Sequence, residues 1–359
     1  NDRLFLVLLL ALALFTAFDP AGITRYPSLV DWPTLAALAG LLELTKGVED
    51  SGALIRAGRW QVGLLHTERA LAIGLVLAAA VLAMVLTNDV ALFVIVPLTL
   101  GVCRVAGLRP ARLVIFEALA VNAGSALTPI GNPQNLFLWQ RSQTSFGAFV
   151  LHMLPLVVGM MALLLVLTAV AFKGRHVELD GHAKPPPLDT TLLATALVLY
   201  IPFLVATDLH HAGWAFAAVM LLFAVLRRKV LAGVDWGLLL VFLLMFIDLR
   251  LLAGNAMAKA WISQLNLADP ANLYFAGIGA SQIVSNVPAA IALAEYSKDW
   301  QVMAYAVSVG GFGLLIGSLA NLIAMRMLDD RKAWWQFHLW AVPFLAAATA
   351  MGYALLFMR

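Results

Sequence analysis

Two short segments hold the residues best suited to bind a solute: Ile130-Gly131-Asn132-Pro133-Gln134-Asn135-Leu136 and Ile316-Gly317-Ser318-Leu319-Ala320-Asn321-Leu322. Each reads Ile-Gly, a small polar residue, two variable residues, then Asn-Leu; both lie inside long apolar stretches, 186 positions apart. A helix broken by such residues leaves backbone amides and carbonyls without helical partners. At membrane depth these groups are tolerated only where protein, water or a bound solute replaces the missing bonds. The amide end of a half-helix suits anions and the carbonyl end suits cations. Asn132 is expected to cap a new helix with Pro133 at its first position, and Ser318 to cap its counterpart. Two matching breaks point to a duplicated transport site.

Two polar tips complete the set, Thr87-Asn88-Asp89 and Ser285-Asn286-Val287-Pro288, each between two apolar arms. The substrate-binding residues are therefore expected to be Thr87, Asn88, Thr128, Gly131, Asn132, Asn135, Ser285, Asn286, Gly317, Ser318 and Asn321. None is arginine or lysine, so amides, hydroxyls and helix ends would have to hold an anion. That favours a small, weakly charged or neutral oxyacid, or a solute accompanied by a cation. A lone asparagine in a membrane helix can equally serve interhelical hydrogen bonding, worth about 0.6 kcal/mol on average; the symmetric set is harder to explain that way. Gly310, Gly311 and Gly313 read as close helix packing and stay outside the binding set.

Asp89 is the most informative ionisable residue. A carboxylate near the bilayer centre costs about 2.5–3.5 kcal/mol on insertion scales and is a functional candidate by default. Asp89 with Asn88 is the expected coupling-ion site, for a proton or a bound sodium ion; the plainer reading is that Asp89 caps the second arm of its hairpin. Glu117 reads as a proton relay or as a partner for another helix. Asp248 and Arg250 read as a pair or as snorkelling groups near a span end. Glu43, Lys46, Glu49 and Asp50 read as a solvated network at a cytoplasmic end, and Glu295 as a residue near an extracellular mouth.

The elements that must position these groups are membrane helices. The chain is 62% apolar and 12% charged, where soluble domains carry about a quarter charged residues. Apolar stretches of bilayer length, roughly 20 residues, recur throughout, and the alternating strands of a porin-type barrel are absent. The fold class is an all-α polytopic membrane protein. Nine crossings are expected, at 3–18, 33–49, 111–140 (broken), 148–172, 190–206, 213–227, 236–252, 300–327 (broken) and 337–358, with re-entrant hairpins at 70–104 and 271–296. With both hairpins non-crossing, 17 of the 23 lysines and arginines fall on one side. The positive-inside rule makes that side, and the N-terminus, cytoplasmic.

Residues 1–172 form the first expected repeat, 173–212 a cytoplasmic linker and connecting span, and 213–359 the second repeat. Five crossings separate the repeat starts, an odd number, so the repeats must be inverted. Asp31-Trp32 and Asp235-Trp236 open equivalent spans, and the tips share Asn88 and Asn286. The 173–189 loop, with His176, Glu178, Asp180 and Pro185-Pro186-Pro187, reads as a tether rather than a regulatory segment. The chain opens on Asn1, so a trimmed start is expected, and no cleavage site follows Leu4–Phe18 as a signal peptide would require. Cys103 stands alone, which precludes an internal disulfide. The pI near 9.1 reflects loop arginines and implies no nucleic-acid partner. The histidines lack metal spacing, and no P-loop, hydrolase elbow or zinc-protease motif occurs, so neither an enzyme nor a cofactor is expected.

Leu86–Phe93, Asn122–Asn135 and Ser285-Asn286-Val287-Pro288 resemble the ion transporter superfamily of arsenite efflux permeases, sodium–proton antiporters, citrate–metal transporters and divalent-anion–sodium symporters. They look most like the arsenite-permease branch and its short bacterial inner-membrane anion permeases. The resemblance implies a scaffold domain, a transport domain holding both hairpins and both broken helices, elevator-like movement and a homodimer. It also implies binding at Thr87, Asn88, Asn286 and the two broken-helix loops. Dicarboxylate symporters carry Ser-Asn-Thr at both tips, whereas this chain has Thr-Asn-Asp and Ser-Asn-Val. That departure counts against sodium-coupled dicarboxylate uptake and favours proton-linked export or exchange. The expected function is secondary active transport of a small anion or metalloid oxyacid across the inner membrane. A cation–proton antiporter is the alternative within transport; a non-transporting membrane enzyme or binding protein is the alternative outside it.

Overall fold

Aspartate opens many of the helices. Asp31, Asp189, Asp235, Asp269, Asp299 and Asp330 each accept a hydrogen bond from a backbone amide in the first turn that follows. Such a cap satisfies one orphan donor and contributes about 1 kcal/mol. The polar residues between apolar runs thus mark where helices start. A computed structural model of the protein describes residues 2–63, 65–177 and 187–358. Of the linker residues singled out above, Glu178, Asp180, Pro185 and Pro186 lie outside the described residues.

The first nine helices are α1 (Asp2–Phe18), α2 (Tyr26–Leu29), α3 (Trp32–Asp50), α4 (Ala53–Gly63), α5 (Glu68–Val85), α6 (Asn88–Ala106), α7 (Pro110–Ser125), α8 (Pro133–Ser142) and α9 (Phe146–Ala171). After α10 (Thr190–Asp208) come α11 (Ala212–Leu226), α12 (Arg228–Gly233), α13 (Trp236–Gly254), α14 (Ala256–Ser263), α15 (Pro270–Val284), α16 (Asn286–Leu293), α17 (Trp300–Val309), α18 (Leu319–Leu328) and α19 (Arg331–Phe357). The protein is an all-α polytopic membrane protein. Among the described residues, α5, α9, α10, α13 and α19 are each long and apolar enough to cross a membrane. The stretch from Phe5 to Leu29 passes the same test but bends by 120° after Phe18, where the first expected crossing, 3–18, ends. The first arm of the first hairpin, α5, is itself of spanning length; α15 and α16 are shorter, with 15 and 8 residues.

The packing has a recurrent pattern. Helix α1 lies on α13 and α11 lies on α3; α8 packs against α16 and α17, while α18 packs against α6 and α7. The arms of each hairpin, α5 with α6 and α15 with α16, pack on one another and on the helix that follows, α7 or α17. The backbones of α5 and α7 approach closely at Gly124, where an added Cβ would stand 2.4 Å from the Ala80 carbonyl oxygen and 2.6 Å from its Cα. Helix α7 is buried over its whole inner length, from Leu113 to Ser125.

Hydrogen bonds and ion pairs gather the loops into two groups. In one, Arg69 donates to the Phe172 carbonyl, Arg112 donates to the Ala171 carbonyl, Asp189 N donates to Ser51, and Arg227 lies 3.7 Å from Asp189. In the other, Arg141 and Arg250 both reach Glu295, at 3.3 and 3.2 Å, and Arg250 also donates to the Leu29 carbonyl. Helix α7 therefore starts near the first group, and α17 starts near the second, with Trp300 stacked on Phe149. Helix α10 sends its Tyr200 hydroxyl to the Val85 carbonyl at the end of α5. Gly124→Ala should push α5 and α7 apart and cost roughly 1–3 kcal/mol, read as a lower unfolding midpoint in detergent; an unchanged midpoint would refute the close approach.

Candidate substrate site

Each hairpin tip is stitched to a helix break. At the first, Asn88 N donates to the Gly131 carbonyl (2.9 Å), and the Thr128 hydroxyl donates to the Met84 carbonyl (2.7 Å) while accepting from Gly131 N (3.1 Å). Asn132 caps α8 as expected: its Oδ1 accepts from Asn135 N at 2.9 Å, and its Nδ2 donates to the Ser125 carbonyl at 3.0 Å. Asn135 Nδ2 donates to the Ala126 carbonyl at 3.1 Å. Only glycine fits at 131, because a Cβ there would stand 2.3 Å from the Ser125 carbonyl oxygen.

At the second break, Ser318 caps α18 by accepting from Ala320 N. Gln282 on the hairpin's first arm donates to the Gly310 carbonyl (2.7 Å) and accepts from Leu314 N (2.9 Å). Asn321 Nδ2 donates to the Gly311 carbonyl at 2.9 Å, and its Oδ1 accepts from Asn122 Nδ2 at 2.7 Å. That last bond joins α7 to α18. Ser285 holds the tip with φ at +77°, a strained backbone for a non-glycine residue. A Cβ on Gly311 would meet Asn286 Nδ2 at 3.1 Å and Asn122 Oδ1 at 3.6 Å, so these three groups surround one small space. Gly317 is held just as tightly, 2.8 Å from a carbonyl oxygen by the same measure.

The structure therefore gathers the nominated residues into two polar clusters. Thr87, Asn88, Asn132, Asn135, Ser285, Asn286, Ser318 and Asn321 are buried, and Thr128 is half-buried. Sequence reasoning missed Asn122, Gln282 and Ser308, and it assigned Gly311 to packing alone. The available signal was register: Asn122 and Ser308 are spaced by the same interval as the two breaks.

Several charged residues differ from expectation. Glu43 is fully buried and both of its carboxyl oxygens lack a hydrogen bond, whereas Lys46 pairs with Glu49 (3.3 Å) and Asp50 (3.0 Å); no solvated network includes Glu43. Asp248 does not pair with Arg250. It is buried without a partner, because the guanidinium turns to Glu295 and lies 3.8 Å from Asp31. Glu117 accepts a hydrogen bond from Thr99 on the neighbouring helix α6, which is the partner reading. Asp89 sits in the first turn of α6, but the N-cap residue is Thr87 and the Asp89 carboxylate accepts no capping bond. Among the described residues no group of three or more His, Cys, Asp or Glu could hold a metal ion.

Paired helical hairpins locked onto paired broken helices, around buried polar residues free of lysine and arginine, are transporter geometry. A citrate transporter family profile matches residues 3–310. The chain belongs to the citrate transporter family. Inner membrane protein YbiR of Escherichia coli is 46% identical over 99% of this chain and 96% of its own length. An uncharacterised transporter of Methanocaldococcus jannaschii is 31% identical over 83% of this chain and 82% of its own. Human P protein is 31% identical over 39% of this chain, a partial likeness. Within this citrate transporter family member, Asn321 makes two side-chain bonds and Asn135 one across its break. Asn321→Ala should therefore lower the unfolding midpoint more than Asn135→Ala, each lost buried bond costing about 1–3 kcal/mol; the reverse order would show that Asn321 does not join the two parts of the chain.

Proposed function

We propose that the protein is a secondary active transporter of a small anion or neutral oxyacid in the bacterial inner membrane, coupled to H⁺ or Na⁺. The observation that carries this reading is the Asn122–Asn321 bond, which joins the breaks of two separately built hairpin units in a buried centre free of lysine and arginine. The name of the E. coli relative supports the inner membrane.

Residues 1–172 and 213–359 are read as inverted repeats, joined by residues 173–212. The opposite starting ends of α7 and α17 support the inversion, as does the exchanged packing of α8 and α18. Lysine and arginine placement puts the N-terminus in the cytoplasm. Helices α5–α8 and α15–α18 would move together against α1, α3, α10, α11 and α13 in an elevator-like step, within a homodimer. The substrate set is Thr87, Asn88, Thr128, Gly131, Asn132, Asn135, Ser285, Asn286, Gly317, Ser318 and Asn321. Asp89 with Asn88 is the coupling site, and a bound sodium ion is one occupant. Cation–proton antiport is the second reading, favoured by an Asp89 carboxylate left without a capping bond.

Purified protein in liposomes should accumulate oxyacids or small carboxylates under an imposed H⁺ or Na⁺ gradient. Asp89→Asn should abolish gradient-driven uptake and spare exchange. Uptake by the variant equal to wild type would remove Asp89 from coupling, and cation–proton exchange without solute movement would establish the second reading.

A further inference from the structure

Asn122 and Asn321 form a closed clasp between α7 and α18. The positions that correspond to them in the other pair of packed helices, α17 with α8, are Ser308 and Asn135, by the spacing that relates the two breaks. There the clasp is open. Ser308 Oγ and Asn135 Oδ1 are both buried, with relative exposures of 3% and 0%, and neither has a hydrogen-bond partner. A serine is shorter than an asparagine by an amide group, which is the piece that closes the Asn122–Asn321 bond.

Two orphaned buried oxygens are costly unless a partner is supplied, at about 1–3 kcal/mol each. Asn135 Oδ1 can only accept, and its own Nδ2 is already engaged with Ala126. Ser308 can donate or accept. Thr87 Oγ1 and Gln134 Oε1 are orphaned as well, so among these neutral side chains every unpartnered buried atom is an oxygen. A bare anion brings only acceptors and could not satisfy Asn135 Oδ1.

We propose that Asn135 and Ser308 form a ligand-closed clasp: a hydroxyl group of the transported solute donates to Asn135 Oδ1, accepts from the Ser308 hydroxyl, and so cross-links α8 to α17. The solute is then bound in a form that retains at least one O–H. Asn122–Asn321 is the permanent, positioning version of the same contact, so one side of the site is built and the other is completed by the substrate. This inference rests on the transporter reading above.

Thermal unfolding and binding are measured on the full chain in detergent with boric acid as an uncharged O–H donor, and with sulfate and chloride as anions lacking one. Wild type should be stabilised by boric acid and not by the anions. Ser308→Asn should raise the unfolding midpoint without ligand, by closing the clasp, and weaken boric acid binding at least tenfold. Ser308→Ala keeps the small volume, so it serves if the larger side chain does not fold; it should also weaken boric acid binding at least tenfold. Stabilisation by sulfate or chloride alone, or undiminished boric acid binding by Ser308→Ala, overturns the clasp and leaves the transporter reading standing. No stabilisation by any of the three probes overturns the clasp; no gradient-driven solute or cation movement in liposomes overturns the transporter reading itself.

Discussion

The structure depends on one constraint: backbone groups released by a broken helix in a membrane must find partners within the protein. Several buried polar side chains answer it. Asn132 and Asn135 bond carbonyls at the end of α7, Gln282 bonds both sides of the second break, and Thr128 ties the first break to Met84. Asparagine and glutamine suit this work because one side chain carries donor and acceptor. Glycine accompanies them because the approach is too close for a Cβ at positions 124, 131 and 317. The motif Gly-Asn-Pro-x-Asn is thus a structural solution, and it leaves Asn135 Oδ1 without a partner.

The buried polar residues around the breaks include no lysine or arginine. A lysine or arginine at a break would need its own desolvation offset in addition to the backbone's. The arginines are instead placed toward the ends of the molecule, where Arg141 and Arg250 converge on Glu295.

Much of this was legible in the sequence. The helix breaks, their caps at Asn132 and Ser318, and both hairpin tips follow from local rules that depend on a few neighbouring residues. What could not be read was partner choice across the fold. Asp248 and Arg250 are two residues apart, which puts them on different faces of α13, and only the packed structure decides that Arg250 turns to Glu295. Glu43 looked solvated because its sequence neighbours are charged, yet helical geometry turns it inward while Lys46, Glu49 and Asp50 pair with one another. Asn122 was passed over because it lies before the break, a full helical turn from Ser125; its partner is 199 positions away.

Helix α10 ties the first hairpin to the rest of the fold. Through Tyr200 it grips the last carbonyl of α5, next to the first hairpin tip. A carbonyl orphaned by the end of its helix is thus held by a phenol 115 positions away, and the first tip cannot shift from α10 without giving that bond up.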